Sequence, residues 1–240
     1  MSGRVAWVVG GGSGIGAAAA SALSQMGIKV AVSGRRLDRL DEVVSGLAGT
    51  ALAVGVDVTN ADSIREGHDE IRRTLGEVDI LVYSAGTNVT RRYWRDSDAE
   101  DLAAVIDTNL NGAVRAVQQV IGGMRDRGDG LILLVSSWAG WRFAPGVGVG
   151  YSASKTALAA VAETVNSQER LNGIRATHLC PGEVRTEILN TRPVVPSEGE
   201  QALMLDPDDL GRTVAWLASL PSRICVNELV ITPTTNTSYA

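Results

Sequence analysis

Apolar residues recur along this chain in two periods that take turns. Short, mostly apolar runs occupy positions 4–9, 29–33, 51–56, 79–82, 131–135, 174–179 and 228–231. Runs of this length, rich in β-branched residues and apolar on successive positions, predict strands buried on both faces of a parallel sheet. The stretches between them carry apolar residues at helical spacing: 17–26, closed by Gly27, then 37–47, 61–75, 102–125 and 151–171, with a last helix opened by Asp206-Pro207. In the fourth of these, Leu102, Val105, Ile106, Leu110, Val114, Val117, Val120 and Ile121 mark one face. Strand and helix in alternation predict βαβ units, hence an α/β fold. An irregular loop opens at Pro181-Gly182 and runs to about position 205. No shift of composition marks a linker, so residues 1–240 read as a single domain.

Composition narrows the classes without changing that picture. The 240 residues are 45% hydrophobic and 20% charged, ordinary for a protein with a sizeable core. No apolar run is long enough to span a bilayer, and no leader, low-complexity tract or internal repeat is evident. A net charge of −5 with mixed signs argues against nucleic acid or an anionic membrane as partner, and a cytoplasmic protein is the default expectation. Cys180, Cys225, His68 and His178 are too few and scattered for a metal cluster or disulfide framework, so no metal is expected. Both cysteines lie in apolar, strand-like contexts and are expected in the core.

Candidate chemistry enters at the ends of the strands. The first strand meets Gly10-Gly11-Gly12-Ser13-Gly14-Ile15-Gly16, which leads straight into the first helix. Strand, glycine turn and helix together aim backbone N–H groups and a positive helix end at a phosphate; a plain tight turn is the alternative. A site selecting NAD carries an acid about 20 residues on, at the end of the second strand. Here that place reads Ser33-Gly34-Arg35-Arg36, with no acid before Asp38. Gly34 leaves room for a 2′-phosphate and Arg35 can pair with it, so NADP(H) is the preferred cofactor and NAD(H) a possible one. Arg35 and Arg36 as solvated residues at a helix start are the alternative. Tyr83-Ser84-Ala85-Gly86 and Ser136-Ser137 bring small residues and hydroxyls to the same sheet edge. Tyr151 and Lys155 stand four apart at an apparent helix start, about 40° apart around the axis. A lysine cation held there would stabilise the phenolate and lower the tyrosine pKa, although such a pair taken alone is most often a solvated one.

The glycine turn, Asp57, Ala85-Gly86, Asn109, Ser137, Tyr151-x-x-x-Lys155 and Pro181-Gly182 resemble the short-chain dehydrogenases/reductases in order and spacing over the whole chain. Gly34-Arg35-Arg36, Asp107-Thr108-Asn109 and the stretch 216–239 resemble, more narrowly, the NADP-dependent 3-hydroxy acid (serine) dehydrogenases. The resemblance implies a Rossmann-like, doubly wound parallel sheet of about seven strands with helices on both faces. It implies an NAD(P)-dependent oxidoreductase that interconverts a secondary alcohol and a ketone. Tyr151 would be the general acid/base, Lys155 would lower its pKa and hold the nicotinamide ribose, and Ser137 would donate to the carbonyl while Ser136 faces away. Asn109 would hold a water that links Lys155 to solvent; bonding within its own helical turn is the alternative. Gly10, Ser13, Gly14, Ile15 and Gly16 would cradle the cofactor, Asp57 and Val58 would meet adenine, and Ser84, Ala85 and Gly86 would lie along it. Pro181, Gly182, Val184 and Thr186 would meet the nicotinamide end; Asp57 and Thr186 as mere helix caps are the alternative.

The chain departs from the family pattern where Val9-Gly10 replaces Thr-Gly and Tyr83-Ser84 replaces Asn-Asn, losing a polar pair together. The interval from Ser137 to Tyr151 is one residue long for the family, which Gly146, Gly148 and Gly150 could absorb as a flexible loop. Residues 87–94, 138–147 and the 186–205 substrate loop should wall the site. They offer Trp94, Trp138, Trp141, Phe143 and Ile188, which suggests a large apolar or aromatic substrate, or else rings that fill a subunit interface. A hydroxy acid or 3-oxoacyl substrate is the alternative, with Arg91, Arg92, Arg142 and Arg185 as candidate cations. A catalytically silent nicotinamide-binding scaffold is the rival from another class. The resemblance further implies a homotetramer, with a dimer as runner-up, paired through the helices that carry Asn109 and Tyr151.

Overall fold

Every residue of the first strand, β1 (Val5–Val9), is buried, because it lies in the middle of a sheet covered on both faces. The computed structural model describes residues 3–236. The other strands are β2 (Lys29–Gly34), β3 (Ala51–Gly55), β4 (Ile80–Tyr83), β5 (Gly130–Val135), β6 (Ile174–Pro181) and β7 (Glu228–Ile231). All pair in parallel, in the order β3-β2-β1-β4-β5-β6-β7. The chain reverses its direction of travel between β1 and β4, and a crevice opens at their carboxyl ends.

The helices are α1 (Gly14–Gln25), α2 (Leu37–Ser45), α3 (Ala61–Thr74), α4 (Ala99–Ile106), α5 (Gly112–Arg127), α6 (Trp138–Trp141), α7 (Val149–Glu169), α8 (Glu198–Gln201) and α9 (Pro207–Ser219). Successive strand residues point to opposite faces, so the sheet divides the core in two. Val5, Trp7 and Val9 pack with Ile64 and Ile71 of α3, Val117 of α5 and Leu158 of α7. Ala6 and Val8 pack with Ala19 and Leu23 of α1 and with Leu210 and Val214 of α9. None of these helices is long and apolar enough to cross a membrane.

Several boundaries move from the sequence expectation. Helix α1 begins at Gly14 rather than 17, so part of the glycine turn is already helical. The 102–125 stretch is α4 and α5 joined through a π-helical turn, Asp107–Asn111, rather than one regular helix. Gly146 and Gly148 adopt positive φ, +79° and +86°, in the loop before α7, whereas Gly150 is helical and closes on Leu102. Cys180 is buried as expected, but Cys225 is exposed in the turn before β7. His178, Cys180 and Glu228 do come together where β6 and β7 pair, with His178 Nδ1 3.2 Å from Glu228 Oε2. Cys180 Sγ lies 3.3 and 3.5 Å from the two ring nitrogens. Of the narrower family likeness at 216–239, residues 237–239 lie outside the described part.

Candidate active site

A cleft of about 1180 Å³ runs along the carboxyl edge of the sheet. Gly10, at φ +80°, starts its floor, and a Cβ there would stand 2.5 Å from the Ala85 nitrogen, so the turn after β1 lies directly against the end of β4. Gly14 approaches Thr186 closely, since a Cβ would meet its Cγ2 at 3.0 Å. Helix α1 then begins with Ser13 as N-cap, without a side-chain cap bond and without an acid in its first turn. Its N–H groups and positive end are left for an anion. Gly10→Ala is expected to weaken NADPH binding at least about tenfold, through backbone overlap and the cost of a side chain at positive φ. Fluorescence titration of NADPH measures it, and unchanged affinity would remove Gly10 from the cradle.

Among the sequence-predicted residues, Gly10, Ser13, Gly14, Ile15, Arg35, Asp57, Val58, Ser84, Ala85, Gly86, Pro181, Gly182, Val184 and Thr186 all line this cleft. Gly16 does not; it packs against the Gly10 carbonyl and closes the turn from behind. Asp57 is occupied with the Thr59 amide and hydroxyl, at 2.9 and 2.7 Å, which hold its pKa low, and Asn60 rather than Asp57 caps α3. Thr186 stands at the N-cap of a short 3₁₀ turn, Glu187–Thr191, but gives it no side-chain bond. Arg36 pairs with Glu187 at 3.1 Å, while Arg35 has no ion-pair partner among the described residues.

Tyr151 sits in the first turn of α7 and Lys155 one turn further, the ammonium 5.8 Å from the centre of the phenol ring. Lys155 is buried; its Nζ donates to the Val135 carbonyl at 2.8 Å, and burial lowers its pKa to about 8. The Tyr151 phenol is pushed up by burial, against a hydrogen bond with Ser137 and the positive charges of Arg192 and Arg92, which pull it down. The expected lowering of Tyr151 by Lys155 is therefore not what the protein alone shows, because desolvation outweighs the neighbouring charges. Ser137 also caps α6, accepting from the Ala139 amide at 3.2 Å. Ser136 turns its hydroxyl to the Lys155 carbonyl at 2.9 Å.

Asn109 is fully buried in the π turn and does not bond within its own helix turn. Its amide accepts from the Thr87 nitrogen at 2.8 Å and donates to the Thr87 carbonyl and the Ser154 hydroxyl, at 3.0 and 3.1 Å. It thus ties the loop after β4 to α7, just behind Gly86, where a Cβ would lie 3.3 Å from Lys155 Nζ. The widened turn is also braced by Tyr83, whose hydroxyl donates to the Thr108 carbonyl at 2.6 Å. Tyr83, which stands where the family has an asparagine, thus bonds to the turn between α4 and α5.

The walls differ from the sequence reading. Trp94 is 84% exposed and off the cleft, and Trp141 leans edge-on against Trp138 at 5.1 Å. Only Trp138, Phe143 and Ile188 of the expected set reach the cleft, and Phe143 is a rim residue, 86% exposed. Two of the four rings, Trp94 and Phe143, are therefore exposed, while Trp138 is buried and Trp141 half-buried. Among the candidate cations, Arg91 is held by Asp98 and Asp101, Arg185 by Asp206, and Arg142 lies 4.4 Å over the Trp141 ring. Arg92 alone of the four lines the cleft. Arg192, which no motif singles out, joins it there and pairs with Glu183 at 2.8 Å.

Residues 4–194 match the family model for short chain dehydrogenases. The chain is 30% identical over 234 residues to an uncharacterised oxidoreductase of Staphylococcus aureus strain N315, covering 97% of this chain and 98% of that protein. It is 32% identical over 241 residues to a glycine betaine reductase of Emericella nidulans, which takes in 97% of this chain but only 19% of that much longer protein. Among solved structures, the closed form of a serine dehydrogenase complexed with NADP+ superposes with a TM-score of 0.90 at 28% identity, covering 99% of this chain and 98% of the other.

Proposed function

The chain belongs to the short chain dehydrogenase family and is an NAD(P)-dependent oxidoreductase; from that premise we propose that it interconverts a secondary alcohol and a ketone, with Tyr151 as general acid/base and NADP(H) as preferred cofactor. One observation carries the reading. Tyr151, one helical turn from the buried Lys155, lines the same cleft as Ser137 and the glycine turn. The cradle fits a dinucleotide by its own geometry: a Cβ at Gly10 or Gly14 would fill it, and the start of α1 is left without an acid.

When bound, nicotinamide supplies or accepts the hydride at the carbon that bears the reacting oxygen. Tyr151 gives its phenolic proton to that oxygen during reduction and takes it back during oxidation. Ser137, which lines the cleft with Tyr151, orients the same oxygen and stabilises charge that develops on it. The Lys155 ammonium, fixed by the Val135 carbonyl behind Gly86, favours the phenolate and is placed to hold the ribose. Asn109 keeps the loop after β4 and α7 in register, which holds Lys155 in place.

Arg35 supports NADP(H): it lines the cleft at the end of β2, where no acid stands, and lacks an ion-pair partner among the described residues. The serine dehydrogenase of the same fold was solved with NADP+. Arg35→Ala is expected to lower kcat/KM for NADPH at least about tenfold and for NADH little, the scale of one charge-assisted contact. Equal losses with both cofactors would mean that Arg35 reads no phosphate. A panel of ketones and secondary alcohols, run with both cofactors, tests the reaction itself; cofactor binding with no turnover across the panel would overturn it.

A further inference from the structure

His178, Cys180 and Glu228 bring together three kinds of donor, and none of the three lines the cleft. His178 and Cys180 stand two apart on β6, so they share one face of the sheet, and Glu228 of β7 is the register partner of His178. An imidazole, a thiol and a carboxylate thus meet across 50 residues of chain, with their ligand atoms all within 4.8 Å of one another. Among the described residues no other three such groups converge. Nδ1 of His178 is 3.2 Å from Glu228 Oε2 and 3.3 Å from Cys180 Sγ. Donors held about 2.0–2.3 Å from one zinc ion at tetrahedral angles stand ~3.3–3.6 Å apart, so these separations need little adjustment. Sγ is also 3.5 Å from Nε2, and seating an ion takes a turn of the thiol toward the Nδ1 side.

The surroundings supply what a metal-binding histidine needs. Nε2 lies 3.3 Å from the Lys155 carbonyl, so the ring can keep its proton on Nε2 and present Nδ1 as the lone pair, the usual outer bond of a ligating imidazole. His178 and Cys180 are buried, whereas the Glu228 side chain is 44% exposed on the edge strand, which gives an ion a way in and leaves its fourth position to water. We propose that His178 Nδ1, Cys180 Sγ and Glu228 Oε2 bind one zinc-class divalent cation, which clips the four-residue edge strand β7 to β6. Sulfur and nitrogen donors select a borderline ion such as Zn²⁺ over Mg²⁺ or Ca²⁺, which take oxygen shells. On binding, Sγ gives its proton to solvent, and the ion takes the place of the hydrogen between Nδ1 and the carboxylate. No electron moves.

The test titrates chelator-treated protein with Co²⁺, whose bond to a thiolate gives a charge-transfer absorbance, and then with Zn²⁺ as competitor. One Co²⁺ per chain with that absorbance is expected. Zn²⁺ should displace it and, at about 100 times its Kd, raise Tm by about 5 °C or more. Cys180→Ser should abolish the absorbance, and His178→Gln and Glu228→Gln should each weaken Zn²⁺ binding at least about tenfold. Cys225→Ser is the control, because Cys225 is the other thiol, exposed and 3.3 Å from Asn227 Oδ1, and it should leave both readouts unchanged. The proposal is overturned by a wild type without the thiolate absorbance, by an absorbance that survives Cys180→Ser or is lost in Cys225→Ser, or by equal stabilisation with Mg²⁺. If circular dichroism shows that Cys180→Ser has not folded, Glu228→Gln decides the matter, since its carboxylate lies at the surface: unchanged Zn²⁺ affinity there removes the site.

Discussion

Tyr151→Phe is expected to lower kcat/KM by about 10³-fold, within the span that one positioned proton donor contributes, while NADPH affinity stays nearly unchanged. The substitution deletes a single hydroxyl from the first turn of α7, and the ring, the helix and the Lys155 anchor on Val135 all remain. Ser137 keeps the Ala139 amide, so the capping of α6 survives. Steady-state rates on any turned-over ketone, paired with a cofactor titration, check both halves. Retention of a tenth of the wild-type rate would show that the proton comes from elsewhere.

Lys155→Met should be nearly as damaging to turnover, by at least about 10²-fold, and should also weaken cofactor binding, because it removes the charge behind Gly86. It carries a second signature, in stability. Burial lowers the Lys155 pKa to about 8 from an ordinary value of 10.5, so between those pH values the unfolded chain holds more of this proton than the folded one. Stability due to this group therefore rises with pH across that window, and below about pH 8 the full cost of the buried charge is present. Methionine carries no such charge. Denaturation midpoints measured at pH 7 and pH 10 should show the wild type gaining on the variant at the higher pH. A gap that is constant, or that moves the other way, would mean Lys155 is not held as a desolvated cation.

Much of the fold was legible because its cause is local. Seven short apolar runs became seven parallel strands, and the glycine turn became a strand-to-helix crossing, since each depends on the order of residues along a few turns of chain. The π turn at Asp107–Asn111 was not legible: its apolar positions match an ordinary helix, and what widens it is braced from outside by Tyr83 and Ser154. Cys225 misled for a related reason. It sits in an apolar context, but the segment before β7 runs along the surface, and neighbours in sequence do not report that.

The sequence by itself determined which groups could do chemistry and that Tyr151 and Lys155 share a helix face, because spacing four along a helix fixes that geometry from within. It also marked the strand, glycine turn and helix as one unit, since their order along the chain is local. Only the tertiary structure decided how those groups are charged and what surrounds them. Burial raises the Tyr151 pKa and lowers that of Lys155, and such desolvation depends on every element that closes over the site. Only the fold sends Trp94 outward and brings Arg92, from the loop after β4, against Thr191 and into the cleft that Tyr151 faces. Those residues lie far apart in the chain and share no period, so their meeting is a property of the packed sheet and its loops.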